Sequence, residues 1–187
     1  TLADCAALDN GADGFVAGGA ALSNCVAREN GSNGFELFTS TVIGCTATSN
    51  DGGGFVVSSS QVQGCLASFN GTHGVQATAN CQIVGNSCNN NGLDASITDG
   101  AGIFASGSDN RIEGNNCDDN DRGVRVSSAG SVIVRNTCSG NGINYDIAAS
   151  NRYGPIVNIT AGGSAAVSGN AAAGVMTSTD PWANFAY

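Results

Sequence analysis

The residues best equipped for chemistry lie in one run, Cys117-Asp118-Asp119-Asn120-Asp121-Arg122. Three carboxylates so close together offer the hard oxygen ligands that calcium takes. Asp94 and Asp99, a short way upstream, add two more. The candidate metal ligands, for Ca²⁺, are therefore Asp94, Asp99, Asp118, Asp119 and Asp121. Arg122 and Arg125 are the nearby cations, and with Asp118 and Asp119 they form the candidate catalytic set. The plainer reading, a solvated acidic turn on a chain with few charges, is the favoured one. Eight cysteines are present, but no C-x-x-C and no Cys/His pair, so a zinc site has no support.

These residues sit inside a repeat. Segments beginning at Cys5, Cys25, Cys45 and Cys65 share the pattern C-x-A-x-x-N-x-x-x-G-[FV]. It places Asn10, Asn30, Asn50 and Asn70 in one column and Gly14-Phe15, Gly34-Phe35, Gly54-Phe55 and Gly74-Val75 in the next. A second ladder, Leu22, Val42, Val62, Ile83, Ile112 and Ile133, carries the register to the end of the regular region, with spacings of 20, 20, 21, 29 and 21. Eight residues beyond each member stands an asparagine: Asn30, Asn50, Asn70, Asn91, Asn120 and Asn141. In this register Cys25, Cys45 and Cys65 give way to Asn86, Asn115 and Asn136, while Ala27, Ala47 and Ala67 give way to Cys88, Cys117 and Cys138. The long spacing holds an insertion of about eight residues near Leu93 to Gly100, predicted to be a protruding loop.

Short apolar alternations such as Phe35/Leu37, Phe55/Val57 and Val124/Val126 have the period of a strand with one buried face. Three such strands fit in each unit, separated by turns rich in Gly, Asn and Ser. Recurrent Asn-Gly pairs also suit hairpins. A hairpin sandwich, however, has no need of the same residue every 20 positions, whereas stacked coils about 4.8 Å apart do. The fold class is all-β: a right-handed parallel β-helix solenoid of about seven coils of 20–21 residues, with an insertion in one coil and a C-terminal cap. Handedness follows from the rule for parallel crossovers. One domain spans residues 1–187, with regular coils over 1–150 and an irregular final coil and cap over 151–187. Trp182, Phe185 and Tyr187 are expected to cover the last coil, with a sugar-stacking platform as the other use of those rings.

Two columns qualify the candidate chemistry. His73, the single histidine, aligns with Asp13, Asn33 and Arg122 and reads as a surface turn residue. The outward residues of the G-[FV] strand are Val16, Glu36, Val56, Gln76 and Arg125, which form neither a threonine ladder nor an aromatic groove. Cysteines stacked in parallel keep their Cβ atoms too far apart for a disulfide, so free core thiols are expected.

Composition narrows the partners. Net charge is −9 and lysine is absent, which argues against nucleic acid and anionic membranes. Charged residues are 11% of the chain, about half the usual share. No apolar run reaches the ~18 residues of a membrane span. Thr1 opens in mid-repeat without a signal peptide, so the chain is expected to be a piece of something longer.

The units N-S-C-N-N-N-G (86–92), N-N-C-D-D-N-D-R-G-V (115–124) and N-T-C-S-G-N-G (136–142), with N-R-Y-G-P-I-V (151–157) and T-D-P-W-A-N-F-A-Y (179–187), resemble the C-terminal portion of right-handed parallel β-helix proteins of the pectate-lyase-like superfamily, secreted bacterial type. The resemblance covers nearly the whole chain. It implies a secreted or cell-surface bacterial protein and carbohydrate or protein as partner. Lyases of that superfamily use calcium to neutralise a uronate and an arginine or lysine as base; here Arg122 or Arg125 would fill that role. Polygalacturonases of the superfamily carry G-H-G, D-D and R-x-K. This chain has Gly-Thr-His-Gly and Asp118-Asp119, in the wrong order, and no lysine. The expected function is a non-catalytic structural or interaction module contacting carbohydrate or protein, with no cofactor. The alternative is a fragment of a polysaccharide lyase or glycoside hydrolase. An arginine–carboxylate groove around Asp118, Arg122 and Arg125 would favour the alternative, and a smooth polar face the module.

Overall fold

The computed structural model describes residues 1–93, 99–158, 167–168, 171–173 and 180–187. The chain winds into a parallel β-solenoid with three sheets, which hold 8, 10 and 8 strands among the described residues. Sheet A begins with Leu2–Ala3, Ala21–Ser23 and Thr41–Ile43; sheet B with Ala6–Leu8, Val26–Arg28 and Thr46–Thr48; sheet C with Phe15–Gly18, Phe35–Phe38 and Phe55–Ser58. Each sheet takes one short strand per coil. The predicted register holds along the Ile/Val/Leu ladder, where Val62 pairs with Ile83, Ile83 with Ile112 and Ile112 with Ile133.

The first seven strands of sheet A and of sheet B all end in the same way. A residue with positive φ turns the corner, and the residue after it points inward. Before the asparagine column these corner residues are Asp9, Glu29, Ser49, Phe69, Asn90, Asp119 and Gly140. Asn50 then accepts at Oδ1 from Asn30 Nδ2 (2.8 Å) and donates through its own Nδ2 to Asn70 Oδ1 (2.9 Å) and to Ala27 O (3.2 Å). These bonds satisfy amides that would be costly to bury alone. The Gly34 position is fixed by close approach: an added Cβ would stand 2.7 Å from Gly54 O and 2.9 Å from Asn50 Nδ2.

The core lies inside the coils. Phe15, Phe35 and Phe55 stack with centroids 4.9 and 4.7 Å apart and nearly parallel rings. All eight cysteines are free, and seven are buried. Where Cys65 gives way to Asn86, the Cys65 amide donates to Asn86 Oδ1 at 2.9 Å, so the cysteine and asparagine columns are one corner.

The C-terminal segment enters the stack, where its aromatic residues were expected to cover the last coil. Asn184–Ala186 inserts between Thr137–Ser139 and Ile156–Asn158 in sheet B. Asn184 Oδ1 accepts from Asn136 Nδ2 at 3.1 Å and so extends the ladder from 48 residues away. Trp182 and Tyr187 stay about half exposed, with Arg135 lying over the Trp182 ring at 4.2 Å. The strand thus buries Asn184 and Ala186 within sheet B, with Ile156–Asn158 and Ala171–Ala173 stacked beyond it and the Trp182 and Tyr187 rings left on the flank.

Candidate functional site

Sheet C changes character at the insertion. Along its outward column the register runs Gln76, Phe104, Arg125, Asp146. Three residues toward the strand start, Arg122 is the next residue open to solvent, paired in register with Ile143. The insertion returns to the stack just before Ala101–Ala105, which brings Asp99 over this face.

Charge pairing builds the cluster. Arg122 donates to Asp99 Oδ1 from Nη2 at 2.7 Å and from Nε at 3.1 Å, and it also donates to Asp146 through Nη1. Arg125 Nη1 lies 3.4 Å from Asp99, and its Nε is 3.8 Å from Asp146. Two arginines thus share two aspartates. The Arg122 hydrogen bond holds the Asp99 carboxyl below the usual carboxylate range. In return, Asp99, with help from Asp146, raises the Arg122 guanidinium further. Both arginine side chains remain partly open to solvent.

Behind the cluster stands an aromatic support. Arg125 lies over the Phe104 ring at 4.8 Å, a cation–π contact. The His73 ring meets Phe104 at 4.8 Å and a tilted angle. His73 is buried, not the surface turn residue expected, because Ala101 arrives after the insertion and donates its backbone N–H to His73 Nδ1 at 3.0 Å. Burial lowers the His73 pKa to about 4, and the Arg125 charge adds to the effect. His73 therefore packs as a neutral ring at ordinary pH.

Of the other sequence candidates, Asp118 and Asp119 lie apart, while Asp121 stays close enough for its charge to act on Arg122. Asp118 lies on sheet B, where its carboxylate accepts from Asn116 Nδ2 and Ser139 Oγ. Asp119 occupies the corner with φ of 54°. Asp121, beyond that corner, accepts from the Gly100 amide at 3.0 Å and pins the end of the insertion. Asp94 lies outside the described residues. Among the described residues, no three His, Cys, Asp or Glu side chains converge as a metal site. Of the named candidates, the fold brings together Arg122, Arg125 and Asp99. It adds Asp146 and Phe104, which sequence reasoning did not name, and His73, which the sequence placed in the Arg122 column but on the surface. The Gly102-Ile103 and Asn144-Tyr145 pairs mark the register and could have revealed Phe104 and Asp146.

Among solved structures the chain is similar to pectate lyase Pel9A, with a TM-score of 0.69 and 19% identity, covering 81% of this chain and 48% of that one. It is also similar to the A-modules of the Azotobacter vinelandii mannuronan C-5 epimerases AlgE4 and AlgE6, with TM-scores of 0.61 and 0.63 and identities of 20% and 21%. Those matches cover 80% and 81% of this chain and 55% of each epimerase module. The likeness is one of fold, and the chain spans about half the length of these proteins. No curated protein matches it in sequence. Residues 7–174 match the family model described as "Periplasmic copper-binding protein (NosD)". With a match over so much of its length, the chain belongs to that family of β-helix proteins.

Proposed function

We propose that this chain is a non-catalytic binding module of an extracytoplasmic bacterial protein that holds carbohydrate against sheet C around Arg122 and Arg125. The observation that carries the proposal is the mutual locking of two arginines by Asp99 and Asp146 on a solenoid with few charges. Planar guanidinium and carboxylate groups fixed side by side offer paired donors and acceptors to neighbouring sugar hydroxyls. Both neighbouring fold types are proteins named for action on polysaccharides, pectate and mannuronan. The family's periplasmic name supports a location outside the cytoplasm.

A fragment of a polysaccharide lyase draws on the same arginine–carboxylate face. Such an enzyme needs a base that can lose its proton. Two carboxylates push Arg122 the other way, toward a permanent charge. That arrangement suits binding better than proton abstraction.

The family name also carries copper. Thiol and imidazole ligands favour that metal. The described residues do not fit it: His73 is buried with Nδ1 already engaged, and the cysteines are core residues. Met176 lies outside the described residues. The proposal accordingly assigns no metal a part.

The test is affinity electrophoresis of the wild-type chain and Arg122→Gln in gels containing xylan, glucomannan, polygalacturonate or alginate, with unsaturated product assayed in parallel. The proposal expects retardation of the wild type in at least one gel, loss of it in Arg122→Gln, and no product. Unsaturated product would establish the lyase reading. A calcium titration by calorimetry accompanies it and is expected to give no binding heat; heat abolished in Asp119→Ala would assign calcium to the acidic turn.

A further inference from the structure

Phe69 is out of place. It occupies the corner column otherwise filled by Asp9, Glu29, Ser49, Asn90, Asp119 and Gly140, and its φ is 56°. Asn, Asp and Gly tolerate that region, whereas a bulky aromatic there is strained. Half of the residue remains exposed. Phe15, Phe35 and Phe55 stack in the core, whereas Phe69 takes no part in that stack.

Its surroundings have the form of a small site. Phe69 and Leu93, itself 59% exposed, line a cavity of about 680 Å³ with Ser49, Asp51 and Gly71. The floor at Gly71 admits no side chain, because an added Cβ would stand 2.0 Å from Asp51 O. The corner is thus a shallow, open trough with an aromatic wall, an aliphatic wall, a hydroxyl and a carboxylate. A pyranose ring has the complementary form: one apolar face of C–H groups and a rim of hydroxyls. Aromatic rings with a free face take such partners. The one charged group in the lining is acidic, so a uronate would meet repulsion there.

We infer that Phe69, Leu93, Asp51 and Ser49 form a second sugar subsite, specific for a neutral pyranose, on the corner between sheets B and C. The inference rests on the reading of the chain as a carbohydrate-binding module. The subsite lies two coils from the corner at Asp119 that leads to Arg122, a separation of ~10 Å along the stack. One glycan chain lying along the axis would meet both.

The test uses calorimetric titration of the wild type, Phe69→Asn and Arg122→Gln with cellohexaose, mannohexaose, xylohexaose and hexagalacturonate, together with denaturation midpoints. Asparagine tolerates the corner conformation, so Phe69→Asn is expected to leave the midpoint unchanged or raised. Its affinity for the neutral hexasaccharide that binds best should fall about tenfold, the equivalent of one lost ring contact. A lowered midpoint would make Phe69 a structural residue and overturn the inference. Unchanged affinity in Phe69→Asn with loss in Arg122→Gln would overturn the subsite while leaving the sheet C reading intact. Tighter binding of hexagalacturonate than of every neutral probe, weakened in Phe69→Asn, would overturn the assigned chemistry. No binding of any probe by the wild type would overturn both readings.

Discussion

The first four coils and the last three solve different problems with one scaffold. In the first four, strict 20-residue spacing lets identical groups stack: phenylalanine on phenylalanine, cysteine on cysteine, asparagine on asparagine. Their outward sheet C residues are mixed and unpaired in type. After the insertion the inward columns still hold, with Ile103, Val124 and Tyr145 continuing the phenylalanine column. The outward column instead becomes Phe104, Arg125 and Asp146, tied to Asp99 and Arg122. Periodicity supports the fold, and departure from periodicity on the outer face marks the candidate site. One extra segment, whose end returns through Gly100, is enough to create that difference.

In the regular half the inward stacks carry the largest expected effects. Phe35→Ala removes the middle ring of the stack and should destabilise by ~3–5 kcal/mol in a denaturant melt. A cost near zero would mean that stacking does not hold the first coils together. Asn50→Ala should cost on the order of 3 kcal/mol, because several buried polar groups of Asn30, Asn70 and Ala27 lose their partners together. Recovery of full stability in Asn50→Ala would show that the ladder is dispensable.

In the irregular half the expected effects are smaller and depend on pH. Unfolded His73 takes up a proton near pH 6.5, whereas in the folded chain it stays neutral down to about 4. Its contribution is therefore fully present above pH 6.5 and is lost as the pH falls toward 4. Between pH 7 and 5 the loss should be about 2 kcal/mol, and it should vanish in His73→Gln. An equal loss in both proteins would place the pH dependence elsewhere. Smallest of all, Arg122→Gln should change stability by ~1 kcal/mol or less, since its pairs are partly exposed. A larger cost would make the cluster a structural clamp.

The sequence made the inward columns legible because burial constrains every coil alike. The ladder from Leu22 to Ile133, the shared corner of Cys65 and Asn86, and the free thiols could all be read by counting. Residues set by long-range closure could not. Ala101 reaches His73 across the insertion, and Asn184 completes a column begun far upstream. Asp118 and Asp121 are near in sequence, yet a corner separates them and sends their carboxylates to different sheets. Phe69 gave no periodic signal at all, since its strain is visible only in the backbone.

The central claim is that sheet C around Arg122 binds carbohydrate without transforming it. Backbone chemical-shift mapping of the wild-type chain, titrated with the polysaccharide fragments that retard it in gels, tests that claim most directly. The account predicts shifts concentrated on Ala101–Ala105, Arg122–Val126 and Ile143–Ile147, with the sugar signals unchanged over the experiment. Shifts confined to sheets A and B, or the appearance of unsaturated sugar signals, would contradict it.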